Sequence, residues 1–146
     1  MSNESETEAS SAPAPQGRYV AAVLAGGTVR TAGMTPRRNG TLTVTGKVGT
    51  DLTVAEARAA AAVAVRNALS AVRSVLPSGS SFRPVEMVVY VAAADGFTAL
   101  SAVADGASDV IAEELGLENL PARSAIGVYT LPGGAPVEIS LTATVR

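Results

Sequence analysis

Neither cysteine nor histidine occurs in the 146 residues, tryptophan is also missing, and aromatic residues make up 3% of the chain. The first two absences together exclude disulfides, thiolate nucleophiles, most zinc sites, Ser-His-Asp triads and histidine general bases. Any chemistry falls to Glu, Asp, Lys, Arg, Tyr, Ser or Thr side chains, or to backbone groups. With so few aromatics, the 47% apolar share builds its core from Ala, Val, Leu and Ile. Small side chains of this kind favour close approach of elements over deep cavities. There is no cationic run, and a net charge of −2 leaves no excess of Lys and Arg to neutralise phosphates, which argues against a nucleic-acid partner. No apolar run reaches the roughly 18 residues needed to span a bilayer. The opening "MSNESETEASSAPAPQG" has neither the basic nor the apolar region of a secretory signal. The expected setting is cytoplasmic, with no membrane partner.

The length suits one domain, and at this size folding buries roughly two-thirds of the unfolded surface. Residues 1–17 hold Ser, Glu, Pro and Ala without apolar periodicity and cannot repay the entropy of ordering, so a disordered tail is expected there, ahead of a domain over 18–146. "RYVAAVLAGGTVRTAGMTP" reads as strand, turn, strand, with Gly26-Gly27 supplying the positive φ of a two-residue hairpin. "NGTLTVTGKVGTD" predicts a further short extended segment broken by Gly46 and Gly49.

Thr53 and Glu56 form a T-x-x-E capping box, which predicts a helix over "ARAAAAVAVRNALSAV" ending near "PSGSS". Its apolar face carries Ala61, Ala62, Val65, Leu69, Val72 and Leu76, with Arg58, Arg66 and Arg73 on the other side. "PVEMVVYVAAAD" reads as a strand buried on both faces, with Val85, Met87, Val89 and Val91 facing one way. Asp95 is then expected to cap a second helix, with its apolar stripe running from Phe97 to Leu115 and its end at Gly116. Two strands, "ARSAIGVYTL" and "VEISLTATVR", complete the chain around "PGGAP". The order ββ(β)αβαββ predicts an α+β sandwich of two layers, with both helices on one face of a mixed sheet. The doubly apolar Val85 strand then predicts that the other face meets further subunits.

In the last strand Val137, Ile139, Leu141, Ala143 and Val145 alternate with Glu138, Ser140, Thr142 and Thr144, which puts Glu138 on the polar face. A carboxylate there is either a solvated surface group or a candidate acid–base. Arg123 shares its parity with Ala125 and Gly127, small neighbours that leave room for a planar anion beside the guanidinium. The alternative is a strand-end arginine held by a nearby carboxylate. If the last two strands form a simple hairpin, Glu138 falls opposite Tyr129 or Thr130, roughly 23 Å along the strands from Arg123. A pocket using both would then need a second subunit. Among the tyrosines, Tyr19 at the start of the first strand is best placed to reach a pocket edge. "GKVGTD" lacks the spacing of a phosphate-binding loop.

Taken in order, "AGMTP" at 32–36, "GKVGTDLT" at 46–53, the helix with Asn67, "MVVYVAAADGF" at 87–97, "PARSAIGV" at 121–128 and "LPGGAPVEISL" at 131–141 resemble the YjgF/RidA family. The resemblance implies a chorismate-mutase-like fold and a homotrimer with clefts between neighbouring subunits. It also implies hydrolysis of reactive enamines and imines such as 2-aminoacrylate to 2-keto acids and ammonia, without metal or cofactor. Arg123 would hold the substrate carboxylate of a small metabolite and Glu138 would position or activate water, with Tyr19, Ala32, Gly33, Ser101 and Ala125 around them. The chain departs from the deaminases in reading Ala32-Gly33-Met34 where they usually have Ser-Gly-Gln, Ser101 where Asn is frequent and Ala125 where Cys is common. A less polar pocket follows. It points to a divergent subgroup and keeps open a non-catalytic binder of small carboxylates. Ribonuclease activity, found in some relatives, fits poorly with an acidic chain without histidine.

Overall fold

The computed structural model describes residues 12–146. Of the tail expected over 1–17, residues 1–11 lie outside the described residues. Residues 12–17 form neither helix nor strand, and Ala12 packs partly buried against the core.

Strands β1 (Ala22–Ala25) and β2 (Thr28–Thr31) form the expected hairpin, with Gly26 at φ 58° and Gly27 at φ 80° in its two-residue turn. Glycine adopts two such angles in succession without strain. The following extended segment is a small separate ribbon, β3 (Arg37–Arg38) with β4 (Thr41–Leu42), turning at Asn39-Gly40. Helix α1 (Val54–Ser74) starts at the predicted box: the Thr53 hydroxyl accepts from the Glu56 N–H, while the Glu56 carboxylate accepts from the Thr53 N–H, each at 3.1 Å. Strand β5 (Phe82–Ala92), helix α2 (Leu100–Leu115), strand β6 (Ala122–Val128) and strand β7 (Val137–Val145) follow.

The large sheet runs β1-β2-β7-β5-β6, with β5 and β6 parallel and every other pair antiparallel. The final two strands are therefore not a hairpin. Strand β7 inserts between β2 and β5, and β6 sits at the sheet edge. The reason lies in burial. The long apolar β5 needs a partner on each side, and β7 offers Val137, Ile139, Leu141 and Ala143, all at 1% exposure or less. The more exposed β6 suits an edge. A parallel β5–β6 pair requires a crossover, which α2 supplies, as α1 does between β2 and β5. Both helices lie on one face, α1 over β7 and β2, and α2 against α1 and β6.

Two further expectations are corrected. A register shift between Pro84 and Glu86 leaves Val85 39% exposed, out of line with Met87, Val89 and Val91, which are fully buried. Asp95 does not cap the second helix: Asp95-Gly96 belong to a turn closed by Phe97 N–H to the Ala94 carbonyl, and α2 starts after Ala99 with no side-chain cap. Alanine and valine let the layers approach closely, as composition implied. A Cβ placed on Gly106 of α2 would lie 2.4 Å from the Arg58 carbonyl oxygen of α1 and 2.8 Å from its Cα. The arginines opposite the apolar face of α1 tie it to α2: Arg58 pairs with Asp109 at 2.8 Å, while Arg66 and Arg73 flank Glu114 at 3.7 and 3.6 Å. Among the described residues no helix is long and apolar enough to cross a membrane.

Candidate functional site

Residues directly opposite one another on adjacent strands share a face of the sheet, and this fixes the two candidate side chains. Arg123 is in register with Met87, itself opposite Leu141, and both partners are buried under the helices. Glu138 is opposite Tyr90, itself in register with Ile126, which is 42% exposed on the uncovered side. Arg123 and Glu138 thus project from opposite faces. The expected pairing of Glu138 with Tyr129 or Thr130 is wrong, because β5 lies between the two strands. Because the two groups lie on opposite faces, one subunit cannot bring both onto one ligand.

On the covered face, Arg123 sits at the edge with its side chain 20% exposed. One terminal nitrogen, Nη1, donates to Asp105 Oδ1 at 2.7 Å and to Ser108 Oγ at 2.9 Å. The other, Nη2, donates to Ser101 Oγ at 2.7 Å and reaches the Ser101 carbonyl at 3.5 Å. Ala125, next on the same face, packs partly buried against the core. The arginine is therefore held by a carboxylate of its own chain, as the plainer of the two sequence interpretations expected. Asp105 and Ser108 were not singled out from sequence. Their signal was the spacing of Ser101, Asp105 and Ser108 at i, i+4 and i+7, a polar stripe on one side of a helix.

On the open face, Glu138 is half-buried, accepts no hydrogen bond from any described residue, and has its pKa raised by desolvation. Its cover comes from a bulge. Arg30 pairs with Thr142 and Met34 bridges Ile139, so three residues, Thr31, Ala32 and Gly33, face two, Leu141 and Ser140. The Thr31 hydroxyl accepts from the Leu141 N–H at 3.0 Å in place of the missing carbonyl. The extra residue lays Gly33 over the glutamate: a Cβ there would stand 2.4 Å from Glu138 Oε2 and 2.6 Å from Cδ.

Ala32 turns out partly buried against the core. Tyr19 is 48% exposed just ahead of the Ala21–Ala32 backbone bond, at the Gly33 end of the sheet, and its hydroxyl accepts from the Gln16 N–H at 3.0 Å. Among the described residues no group of three or more acidic side chains is placed to hold a metal ion.

Gly33→Ala is expected to cost little stability, because the atom in its way is the movable end of a side chain. It should displace the Glu138 carboxylate by about 1 Å and lower any reaction that uses it by roughly a hundredfold. Unchanged turnover in a folded Gly33→Ala protein would separate Glu138 from the chemistry.

A five-stranded mixed sheet with both helices on one face, polar groups on each side and apolar side chains such as Val23 and Ile126 left open defines a small two-layer α+β protein. The family model described as Endoribonuclease L-PSP matches residues 9–145, and the chain belongs to that family, the YjgF/RidA family. Protein TCP17 of Trypanosoma cruzi is 37% identical over 130 residues, spanning 88% of this chain and 81% of its own. The crystal structure of Atu1372 from Agrobacterium tumefaciens, a protein of unknown function, superposes with a TM-score of 0.83 at 33% identity, covering 88% of this chain and 82% of that one. The E. coli TdcF structure with bound serine, at 23% identity and TM-score 0.66 over 91% and 92% of the two chains, shares the fold.

Proposed function

We propose that this chain assembles into a homotrimer, a chorismate-mutase-like sandwich with its open sheet faces turned inward. Its inter-subunit clefts would hydrolyse reactive 2-imino and 2-enamino acids to 2-keto acids and ammonia. The observation that carries this reading is the display of Arg123 and Glu138 on opposite faces of one sheet. In a cyclic assembly the covered edge of one subunit can meet the open face of the next, and only there do the two groups converge. Val23, Ile126 and the half-buried Val88 and Tyr90 are the apolar surface that such packing would cover.

The chemistry asks little of the protein, since an enamino acid that takes a proton from solvent at C3 becomes an iminium acid, which is already electrophilic at C2. A carboxylate held at Arg123 fixes C2 near the neighbouring Glu138. That glutamate takes a proton from water as the water oxygen bonds to C2 of the iminium acid and the C=N electron pair moves to nitrogen, giving a carbinolamine. The proton then passes to nitrogen, the C–N bond breaks, and ammonia departs as the hydroxyl becomes the keto group. A pKa raised by desolvation brings Glu138 closer to the working range of a group that must both accept and return a proton.

The test is ammonia and keto-acid release from freshly generated 2-iminobutyrate. The protein should accelerate release, and Arg123→Ala should lower the effect by roughly ten- to a hundredfold. A rate untouched by adding the protein, or equal for wild type and variant, removes the proposal. A second reading, a non-catalytic binder of small carboxylates, is favoured by one observation: Asp105, Ser101 and Ser108 already engage both terminal nitrogens of Arg123. Saturable binding of a keto acid without turnover would select it.

A further inference from the structure

The polar groups around Arg123 are not all spent. Asp105 Oδ1 takes the guanidinium, but Oδ2 accepts no bond from any described residue, and the Asp105 side chain is 51% exposed. Ser101 Oγ accepts from Arg123 Nη2, so its own proton is turned elsewhere, and among the described residues it donates to nothing. Arg123 Nε–H has no acceptor there either. The edge of the cleft therefore presents two donors beside one anionic acceptor, a fixed dipole in place of a bare cation.

We propose that Asp105 is the specificity determinant of this site, selecting zwitterionic α-imino and α-amino carboxylates over simple keto acids. The inference rests on the cleft reading above and names which form of the substrate it takes. A carboxylate meets the Ser101 hydroxyl and Arg123 Nε–H, while a protonated nitrogen on the adjacent carbon meets Asp105 Oδ2. A keto acid fills the two donors but sets its carbonyl oxygen against the aspartate charge. For hydrolysis the preferred species is the iminium acid, which is also the electrophilic one. Water adds across C=NH2⁺, the C–N bond breaks, and keto acid and ammonium leave, so discharge of the product keto acid follows from the same preference.

L-alanine and pyruvate share three carbons and a carboxylate and differ at C2, an ammonium on a tetrahedral carbon against a carbonyl oxygen on a planar one, and serve as probes. Calorimetry on the wild-type protein should find alanine bound roughly tenfold more tightly, a charge-assisted contact discounted for its exposure. Asp105→Asn keeps an oxygen for Arg123 Nη1 and should abolish the preference, weakening alanine roughly tenfold while leaving pyruvate equal or tighter. Equal affinity of the two ligands for wild type, failure of both to bind, or an equal loss of both in Asp105→Asn overturns the proposal; the last would make Asp105 a mere support for the arginine. The two proposals fail separately. Ammonia release that depends on Arg123 without the alanine preference sinks only this one, and the preference without ammonia release sinks only the deamination.

Discussion

Glu138→Gln lowers ammonia release by roughly 10²- to 10⁴-fold, the usual worth of a positioned acid–base group, while leaving ligand affinity at Arg123 nearly unchanged. The amide keeps the size of the side chain beside Gly33 and removes only its capacity to take a proton. The wild-type pH profile should carry the same signature. The base works when ionised, so turnover falls as pH drops through its pKa, and desolvation places that acid limb above the pH of an ordinary glutamate.

Stability follows the opposite sign. A carboxyl whose folded pKa is raised favours the native state at low pH, and that contribution is lost as pH rises through the folded value. Glu138→Gln should therefore melt slightly higher than wild type at neutral pH, with the difference vanishing in acid. A variant of normal turnover, or an acid limb at the ordinary glutamate position, would exclude Glu138 as the base.

Gly106→Val should destabilise the protein by about 3 kcal/mol, in the range of severe overpacking. The side chain would enter backbone, not movable atoms, since even a bare Cβ falls 2.4 Å from the Arg58 carbonyl. Helix propensity alone predicts the reverse, because valine is better than glycine inside a helix by about 0.3 kcal/mol. The clash wins, because α1 cannot retreat without opening the layer of alanines beneath it and the Arg58–Asp109 pair beside it. The melting temperature should drop by roughly 5–10 °C. A Gly106→Val protein melting with wild type would mean that the helices are spaced more loosely than the structure has them.

The elements carried by local chemistry were legible in the sequence. The Gly26-Gly27 hairpin, the Thr53–Glu56 box with its helix, and the alternation that sets Glu138 outward are each written within one continuous segment. The two-layer α+β arrangement followed from their order. Strand pairing was not legible, because β7 recruits partners from β2 and β5, more than forty residues away in sequence. Sequential proximity favoured a β6–β7 hairpin, whereas burial of both faces of β5 decided otherwise. Asp95 looked like a cap because it precedes an apolar stripe, but the backbone turns once more before α2 begins at Leu100. Parity placed Arg123 beside Ala125 correctly. That its guanidinium would meet Asp105 and Ser108 depended on which side of α2 faces the sheet edge, which no single segment encodes. The bulge that brings Gly33 over Glu138 is likewise a product of two strands counted against each other.

The central claim is that Arg123 of one subunit and Glu138 of another share each working cleft, and mixing two inactive proteins tests it most directly. Arg123→Ala and Glu138→Gln proteins, unfolded together at equal amounts and refolded, should recover about a quarter of wild-type turnover, because random cyclic assembly rebuilds that fraction of sites from two intact halves. Each variant refolded alone should stay inactive. A mixture no more active than its components would place both groups on the same chain and contradict the account.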